Sequence, residues 1–298
     1  MTEGEKHFFT RYAGSSRVVS FAVPAEEGGA AVTGIAPKAF LSCKTLRKLE
    51  IPDGVVRIGD WAFAHMQNLE ELILPFSGMD CGRKVFLDCG RLRKITVRGC
   101  TAKNQGLPYF LASAVTVMGK DALLRPEFAG DERSHGEWMG QYDRALADYL
   151  EAPDEEGFEP VFIGWFHVED MDEQIPKYVE GRRKDKIRLV LQRLRYPDYL
   201  GETMGERLRR YLAERMRERD VPAGKGGLLT DVVCDRDREY CRQVRYLKIL
   251  KESGCLDREE IRLLMEGLGG TNPEMTQYLL ECMEEERAGA DFFGGLEL

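Results

Sequence analysis

Four histidines are the side chains of this 298-residue chain best suited to general acid–base chemistry. They are scattered along the sequence, at His7, His65, His135 and His167. A catalytic histidine needs a partner side chain held at hydrogen-bond distance, and the sequence around these four shows no such arrangement. His65 also falls inside a repeated segment whose neighbouring positions are structural. We therefore predict no catalytic histidine.

Eight cysteines have the chemistry of metal ligands or nucleophiles, but their spacing favours neither role. None forms a C-x-x-C pair, and Cys234 and Cys241 are seven residues apart, so the spacing of a zinc site is missing. Cys43 and Cys89 occupy the same repeat position as Met66, which predicts that they fill a core. The remaining candidates lack a recognisable activating neighbour: Cys81, Cys100 and Cys255. We expect no metal site and no cofactor.

One glycine-rich segment, Gly224-Lys225-Gly226-Gly227, invites comparison with a phosphate-binding loop. It lacks the G-x-x-x-x-G-K-[ST] spacing, so we interpret it as a linker. Because no set of reactive residues converges, we predict that the protein is not an enzyme. An enzyme with its site in the helical half is a third hypothesis, and it requires a deep pocket lined by polar groups.

Arginine-rich segments within residues 182–219 support a different hypothesis, nucleic-acid binding, which needs basic side chains clustered on one face. The first segment begins with Arg182-Arg183-Lys184. The second contains six arginines: Arg207, Arg209, Arg210, Arg215, Arg217 and Arg219. Acidic residues interleave with them, and Glu206 and Arg210 have the i,i+4 spacing of a pair within one helix. Nucleic-acid binding therefore stays an alternative that the interleaved acids weaken.

A repeat of 23 residues sets the elements that position any site in the first part of the chain. Six apolar positions recur three times in register: Ala39, Phe40, Cys43, Leu46, Leu49 and Ile51; Ala62, Phe63, Met66, Leu69, Leu72 and Leu74; Val85, Phe86, Cys89, Leu92, Ile95 and Val97. The L-x-x-L-x-I segment predicts a short strand with alternate residues pointing inward. The aromatic residue of the return segment fills the gap between turns. One unit cannot bury its own apolar face, so the units must stack as a solenoid.

Incomplete copies flank the three full ones, and the repeated region runs from Ile35 to about Val117. Before it, Val19, Phe21, Val23 and Pro24 predict a first strand, followed by an inserted loop at Ala25–Ala31. After it, a shortened last turn is indicated by Tyr109-Phe110 with Val115 and Val117. These copies bring the expected total to about five strands.

The A-F-x-x-C-x-x-L-x-x-L-x-I-P pattern of residues 39–52 resembles the BspA-like class of bacterial leucine-rich repeats, over about a third of the chain. The resemblance implies a recognition surface for proteins or other macromolecules. It also implies a concave face formed by the residues between the buried strand positions: Lys48, Glu50, Glu71, Ile73, Lys94 and Thr96, with Arg98 at the rim. This row is the candidate partner-binding strip, and a row of ordinary solvated residues is the alternative.

From about Glu137 the apolar period changes to 3.6, which predicts an all-α domain of short antiparallel helices. The apolar stripes are Tyr142, Ala145, Leu146 and Tyr149; Ile187, Val190, Leu191 and Leu194; Leu208, Tyr211, Leu212 and Met216; Tyr240, Val244, Leu247 and Leu250; Ile261, Leu264, Met265 and Leu268; Met275, Tyr278, Leu279 and Cys282. Capping boxes at Asp257-x-x-Glu260 and Thr271-x-x-Glu274 mark two helix starts, the second with Pro273 in its first turn. Gly254 and Gly269-Gly270 read as helix stops.

The segment at residues 246–280 resembles paired-helix repeats of the ankyrin-like kind, although it lacks their T-P-L-H signature. Together with Lys186–Pro197 it is similar to the helical region beside leucine-rich repeats in many intracellular bacterial proteins. This resemblance implies a second interaction module, and it adds no chemistry.

The fold class expected from these patterns is α+β, a short leucine-rich-repeat solenoid followed by an all-α helical-repeat domain. We expect domains at residues 1–118 and 137–298, joined by a linker at 119–136. Residues 1–118 contain 15 Lys and Arg against 11 Asp and Glu, and the remainder has an excess of 12 acidic residues. Opposite charges fit either docking between the two parts or separate partners.

No secretory signal is recognisable at the start, and the least polar stretch, Leu107–Gly119, is too short to span a bilayer. We therefore expect a cytoplasmic protein without membrane contact. Its predicted function is a non-catalytic scaffold for a protein partner, bound through the concave face, the helical domain or both. The sequence leaves open the roles of Val161–Phe166 and of the tail, Phe292–Leu298.

Overall fold

The computed structural model describes residues 7–14, 17–75, 80–100, 104–124, 132–158, 169–217, 232–234 and 243–294. By its internal contacts the chain divides into two compact units, Met1–Tyr149 and Leu150–Leu298. Some features singled out in the sequence lie outside the described residues: Val161–Phe166, His167, Arg219, Gly224–Gly227, Tyr240, Cys241 and the end of the tail at 295–298.

Nine strands are described in the first unit, and most of them form two parallel sheets. They are β1 (His7–Phe9), β2 (Ser20–Ala22), β3 (Glu26–Glu27), β4 (Ala30–Ile35), β5 (Lys48–Glu50), β6 (Arg57–Ile58), β7 (Glu71–Leu74), β8 (Asp80–Cys81) and β9 (Lys94–Val97). The repeat sheet has the order β2-β5-β7-β9, and the second sheet has the order β1-β4-β6-β8. Each turn of the solenoid contributes one strand to each sheet.

The register of the repeat sheet preserves the 23-residue period. Leu49 lies beside Leu72, and Leu72 lies beside Ile95, so the buried positions of successive turns align. The second sheet has the same spacing, since Ile58 pairs with Ile35 on one side and Cys81 on the other. The predicted solenoid is confirmed, while the second sheet was not predicted, because its strands β6 and β8 are only two residues long.

The segment Ala25–Ala31, expected to be a loop, is largely a hairpin in which β3 pairs antiparallel with β4. Gly28 and Gly29 form its turn with φ angles of 61° and 83°. Two-residue hairpin turns of the mirror-image type require positive φ at both central positions, which glycine adopts without steric cost.

Aromatic side chains stack between the turns at the return of each repeat. Phe63 is fully buried, and its ring centroid lies 5.7 Å from those of Phe40 and Phe86. At the N-terminal end, the rings of Phe9 and Tyr12 stack on Phe40 at 5.3 and 5.5 Å. These aromatic residues cover the N-terminal side of Phe40, as Phe63 covers its other side.

Two positions in every return segment have left-handed backbone, and none of them is glycine. One set is Lys38, Trp61 and Lys84, and the other is Ser42, His65 and Asp88, with φ between 51° and 61°. In the first two repeats their amide groups donate to the next turn, as in Ser42 N to Ala64 O at 2.9 Å and His65 N to Leu87 O at 2.7 Å. Stacking therefore offsets a conformational cost that side chains with a Cβ incur there.

The prediction of a fifth strand is wrong, because residues 107–116 form helix α1 (Leu107–Thr116). Its buried residues Leu107, Phe110, Leu111 and Ala114 follow helical spacing, and Pro108 stands in the first turn, where a missing N–H is tolerated. Helix α1 packs against β9, the last strand of the repeat sheet. A helix that covers the end of a solenoid shields apolar core that no further turn would bury.

Helix α2 (Glu132–Glu151) packs on α1 within the first unit. The Trp138 indole N–H donates to the carbonyl of Leu123 at 2.9 Å, and the hydroxyls of Ser113 and Tyr142 lie 3.0 Å apart. The helix begins inside the expected linker at 119–136, and the compact units divide after Tyr149. The domain boundaries proposed from the sequence stay a prediction.

The second unit is helical in all its described elements: α3 (Glu169–Arg195), α4 (Glu202–Arg217), α5 (Val244–Glu252), α6 (Arg258–Leu268) and α7 (Pro273–Gly294). Helix α3 packs against α4 and α5, and α7 packs against α5 and α6. The predicted apolar stripes supply the core: Ile187, Val190, Leu191, Leu194, Leu208, Leu212, Leu247, Leu250, Ile261, Leu264, Leu268, Met275, Leu279 and Cys282.

One of the two predicted caps is confirmed and the other is displaced by a residue. Asp257 accepts a hydrogen bond from the Glu260 amide at 2.8 Å, as the capping box requires. For α7 the cap is Asn272, whose Oδ1 accepts from the Met275 amide at 3.2 Å, so the assignment to Thr271 is wrong. Proline at the first helical position places the cap on the residue directly before it.

We predict that Phe63→Ala lowers the free energy of unfolding of the first unit by about 3–5 kcal/mol, the cost of a buried phenylalanine cavity. Urea denaturation followed by circular dichroism measures the change. Val56→Ala, at an exposed position of the same turn, is the control and should alter stability little. Equal losses in the two variants would contradict the role of the aromatic stack.

We predict that Ser42→Gly raises the free energy of unfolding by about 1 kcal/mol, because glycine adopts the left-handed backbone without a Cβ clash. Ser42→Ala is the matched control, since it changes the side chain and keeps the Cβ. Thermal unfolding of both variants measures the difference. A stabilisation shared by glycine and alanine would show that the backbone angle is not the cause.

Candidate partner-binding strip on the repeat sheet

The structure brings the seven predicted residues together on three neighbouring strands of the repeat sheet. Lys48, Glu71 and Lys94 lie side by side in one row, and the second row is Glu50, Ile73 and Thr96, with Arg98 directly after β9. All seven side chains are half-buried. They alternate with the buried strand residues, so they lie on the face of the sheet that points away from the core. We call these seven residues the strip.

The first row of the strip is a ladder of opposite charges. The Lys48 ammonium lies 3.1 Å from one carboxylate oxygen of Glu71, and the Lys94 ammonium lies 3.4 Å from the other. Burial raises the pKa of Glu71, but the hydrogen bond from Lys48 and the positive charge of Lys94 outweigh it and hold the pKa below its usual range. Glu71 therefore stays ionised at neutral pH.

A second ladder, which the sequence analysis did not identify, lies one residue earlier in each repeat. Arg47 and Arg93 flank Glu70 at 3.7 and 2.9 Å. The amides of Glu70 and Glu71 both donate to the carbonyl of Arg47, at 2.7 and 3.0 Å, so the chain enters each strand by the same bend. The 23-residue spacing of these charges was the available signal. We call the two rows of three charged residues the paired ladders.

Arg98 holds the end of the strip in place. Its guanidinium lies 3.5 Å from the Glu50 carboxylate and 3.7 Å from that of Asp53, and it also donates to the carbonyl of Ile51. Its own amide donates to the carbonyl of Leu74 at 2.9 Å. Arg98 thus balances the charge of Glu50 and connects strands that are 47 residues apart.

The second row of the strip contains the apolar side chain of Ile73 and the polar side chain of Thr96. Ile73 lies between Glu50 and Thr96 in the register, and it is the apolar member of an otherwise polar row. The Thr96 hydroxyl oxygen is shielded from solvent, and among the described residues it has no hydrogen-bond partner. An apolar side chain rimmed by charged residues has the composition of an interface centre with a polar border.

Reactive side chains elsewhere in the first unit take structural roles. His65 lies 3.1 Å from the carboxylate of Asp88, which also accepts from Gln67 at 2.8 Å, in a network on the turn surface. Burial raises the pKa of the Cys89 thiol to about 12, and this thiol donates to the Phe63 carbonyl at 3.1 Å. A thiol that stays protonated at neutral pH is neither a nucleophile nor a metal ligand. Within the described ranges, no three His, Cys, Asp or Glu side chains are placed to hold a metal ion.

In the second unit, the arginine-rich helices direct several of their cations inward, onto Asp154. This buried carboxylate accepts from Arg183 at 2.6 Å and from Lys186 at 2.7 Å, and Arg215 lies 3.9 Å away. Burial raises the pKa of Asp154, but the hydrogen bonds from Lys186 and Arg183 outweigh it, so the pKa lies below its usual range. These cations organise the helices around one acid.

Other basic side chains of the 182–219 region are also committed within the unit. Arg193 is completely buried and donates to the carbonyls of Tyr196 and Asp198 at 2.5 and 3.1 Å, beyond the C-terminal end of α3. Arg207 forms an ion pair with Glu151. A nucleic-acid surface needs such cations at the exterior, and the structure gives that hypothesis no support.

Comparisons with known proteins identify the repeat. Residues 32–110 match the family described as BspA type leucine rich repeat region, in six copies. A solved structure of a leucine-rich repeat protein from T. pallidum is 30% identical over 30% of this chain and 41% of that chain, with a TM-score of 0.28. This chain therefore spans less than half of that protein's length. No curated protein matches.

The predicted resemblance to BspA-like repeats is confirmed for this region, and proteins with this repeat generally take part in protein–protein interaction without catalysis. The ankyrin-like resemblance of residues 246–280 stays a prediction. Among the described helices, none combines the length and the apolar character needed to cross a bilayer.

We predict that replacing Lys48 and Lys94 together by glutamine raises the pKa of Glu71 from its lowered wild-type value, because both positive charges are lost while the burial of the carboxylate remains. In the wild type this carboxylate adds stability above its unfolded-state pKa and loses it as the pH falls through its lowered folded-state pKa. NMR titration of the Glu71 carboxyl carbon measures the shift.

The matched control for this titration is the pair Lys38→Gln and Lys84→Gln. These lysines also stand 46 residues apart in the first and third repeats, and both are exposed at the turns. The control should leave the Glu71 pKa unchanged. A Glu71 pKa that stays low after loss of Lys48 and Lys94 would contradict the ladder.

We predict that Asp154→Asn destabilises the second unit by about 3–5 kcal/mol, because it leaves buried cations without their counter-charge. Hydrogen exchange of α3 and α4 measures the loss, and Glu155→Gln, an exposed neighbour, is the control. The difference in stability between the wild type and Asp154→Asn should shrink as the pH falls through the lowered pKa of Asp154, because the wild type then loses the same negative charge. A difference that persists in acid would count against the charge explanation.

Proposed function

We propose that this chain, in which residues 32–110 form a BspA-type leucine-rich repeat region, is a non-catalytic scaffold that binds a protein partner through the strip. The observation that carries the proposal is the position of Ile73 on an open sheet face, between Glu50 and Thr96 and next to the charged row of Lys48, Glu71 and Lys94. Burial of such a residue by a partner would gain apolar contact, while the surrounding charges restrict which partners fit.

The absence of catalysis is part of the proposal, and it rests on how the titratable groups are paired. In the strip, the carboxylate of Glu71 forms ion pairs with Lys48 and Lys94, and that of Glu50 forms one with Arg98. A general base works best with a pKa near the operating pH, whereas the pKa of Glu71 is shifted downward, away from it.

We include two further elements in the proposal. The helical unit is a second interaction module, in line with the ankyrin-like resemblance of its last helices. The protein acts in the cytoplasm, where its cysteines stay reduced, and the seven cysteines within the described residues are free thiols.

The test is affinity capture from lysate of the source organism, with mass spectrometry of the bound proteins. The diagnostic variant is Ile73→Asp, and the matched control is Val56→Asp, which changes an exposed β-branched residue directly before β6 of the second sheet. We expect a partner that binds the wild type and the control and is lost from Ile73→Asp by at least tenfold, since a central hot-spot residue contributes about 2 kcal/mol or more.

Retention of every partner by Ile73→Asp would contradict the proposal and direct attention to the helical unit. Captured material that is released by nuclease would contradict it as well, in favour of nucleic-acid binding. Circular dichroism and urea denaturation of both variants confirm that neither substitution unfolds the repeat.

A further inference from the structure

The paired ladders present their cations to solvent and withdraw their carboxylates. The side chains of Glu70 and Glu71 are 28% and 27% exposed, whereas those of the four flanking cations range from 36% for Arg93 to 63% for Arg47. Both acids lie on the central strand β7 or directly before it, and each contacts a cation on either side. A ligand that approaches this part of the sheet therefore meets the basic groups first.

The charges of the paired ladders do not cancel. Each ladder has two cations and one carboxylate, so the two ladders together have an excess of two positive charges. The ion pairs hold Glu71 in its charged form, which keeps this excess fixed across the neutral pH range. The balance of residues 1–118 is positive as well, with 15 basic and 11 acidic residues. A partner whose charge complements this surface therefore presents negatively charged groups to it.

The spacing of the cations restricts how that negative charge is arranged. Arg47 and Lys48 lie at β5, and Arg93 and Lys94 lie at β9, on either side of β7. Neighbouring strands are about 4.8 Å apart, so the two cation pairs are separated by about 10 Å across the strands. In a polyproline-type extended segment, residues i and i+3 point the same way and are about 9 Å apart. Carboxylates three residues apart thus fit both pairs.

We propose that the paired ladders, together with Ile73 of the strip, recognise an acidic extended segment of a partner protein, with carboxylates three residues apart and small apolar residues between them. This inference rests on the proposed function, and it adds the chemistry of the partner. The carboxylates contact Arg47 with Lys48 and Arg93 with Lys94, while the intervening residues pass over β7 beside Ile73. Proline suits these intervening positions because it favours the extended conformation before binding.

Nucleic acid is the less favoured ligand for the same cations. Duplex DNA has one negative charge for about every 1.7 Å of its axis, which would press phosphates onto Glu70 and Glu71 between the cation pairs. Carboxylates three residues apart on an extended peptide reach the two cation pairs without approaching Glu70 and Glu71. Binding of nucleic acid at these cations is therefore the alternative that the test must exclude.

The test measures binding of a fluorescein-labelled peptide of four Glu-Pro-Pro triplets to the full chain, by fluorescence anisotropy at about 50 mM salt, where screening is weak. A peptide of four Gln-Pro-Pro triplets is the uncharged control. We expect the Glu peptide to bind, the Gln peptide to bind at least about tenfold more weakly, and affinity for the Glu peptide to fall on raising the salt to about 200 mM.

Two double variants locate the binding site. Lys48→Gln with Lys94→Gln removes one cation from each side of β7, and we expect about a tenfold loss of affinity for the Glu peptide. Lys38→Gln with Lys84→Gln removes the same charge from the same two repeats, at the exposed turns, and should change the affinity less than about twofold.

Three results would overturn the inference: no binding of the Glu peptide to the wild type, equal losses in the two double variants, or tighter binding of a short DNA duplex that Lys48→Gln with Lys94→Gln abolishes. The experiments distinguish a failure of this inference from a failure of the proposed function. If Ile73→Asp loses a cellular partner while the peptide result is negative, the strip binds a protein of different chemistry, and only the acidic-segment inference is lost.

Discussion

Contact between successive turns is the constraint on which the first unit depends. A single 23-residue turn has too few elements to enclose its own apolar residues, so each turn is completed by the turns beside it. The stacked rings of Phe40, Phe63 and Phe86, at 5.7 Å spacing, and the in-register leucines of the repeat sheet are the form that this contact takes. At the two ends of the described turns, an aromatic cluster around Phe9 and helix α1 cover the apolar residues instead.

The same constraint organises the surface. Once the buried positions align at 23 residues, the residues between them align as well, and their charges meet across the strands. Arg47, Glu70 and Arg93 form one row in this way, and Lys48, Glu71 and Lys94 form another. Like charges at neighbouring positions would repel each other, so alternation of sign stabilises the stack while leaving an excess of cations. The surface proposed to bind a partner is thus a consequence of the packing period.

The repeat strands and the strip could be predicted because both follow from one period in the sequence. Helix α1 could not be distinguished from a fifth strand, because Val115 and Val117 alternate while Leu107, Phe110, Leu111 and Ala114 follow the helical period. The short strands β6 and β8 leave too few residues for a pattern, and only Ile58 and Cys81 at the repeat spacing indicate them.

Features that depend on contacts distant in the sequence were also missed. The left-handed backbone at Trp61 and His65 is held by hydrogen bonds to the next turn, and side chains of these types give no local indication of it. In the second unit, Glu206 and Arg210 suggested pairing along one helix. That pairing stays a prediction, and the structure adds the arrangement of Arg183 and Lys186 around Asp154, some thirty residues earlier in the chain, which helix spacing does not encode.

Site-specific photo-crosslinking tests whether the strip is the surface on which a partner binds. Benzoylphenylalanine is placed in turn at Ile73 and Thr96 on the strip, at Val56 near β6, and at the exposed Tyr199 of the second unit. We expect that irradiation in cells of the source organism joins one partner to the chain from Ile73 and Thr96, and from neither of the other positions. Crosslinks to a partner from Tyr199 or Val56, with none from the strip, would contradict it.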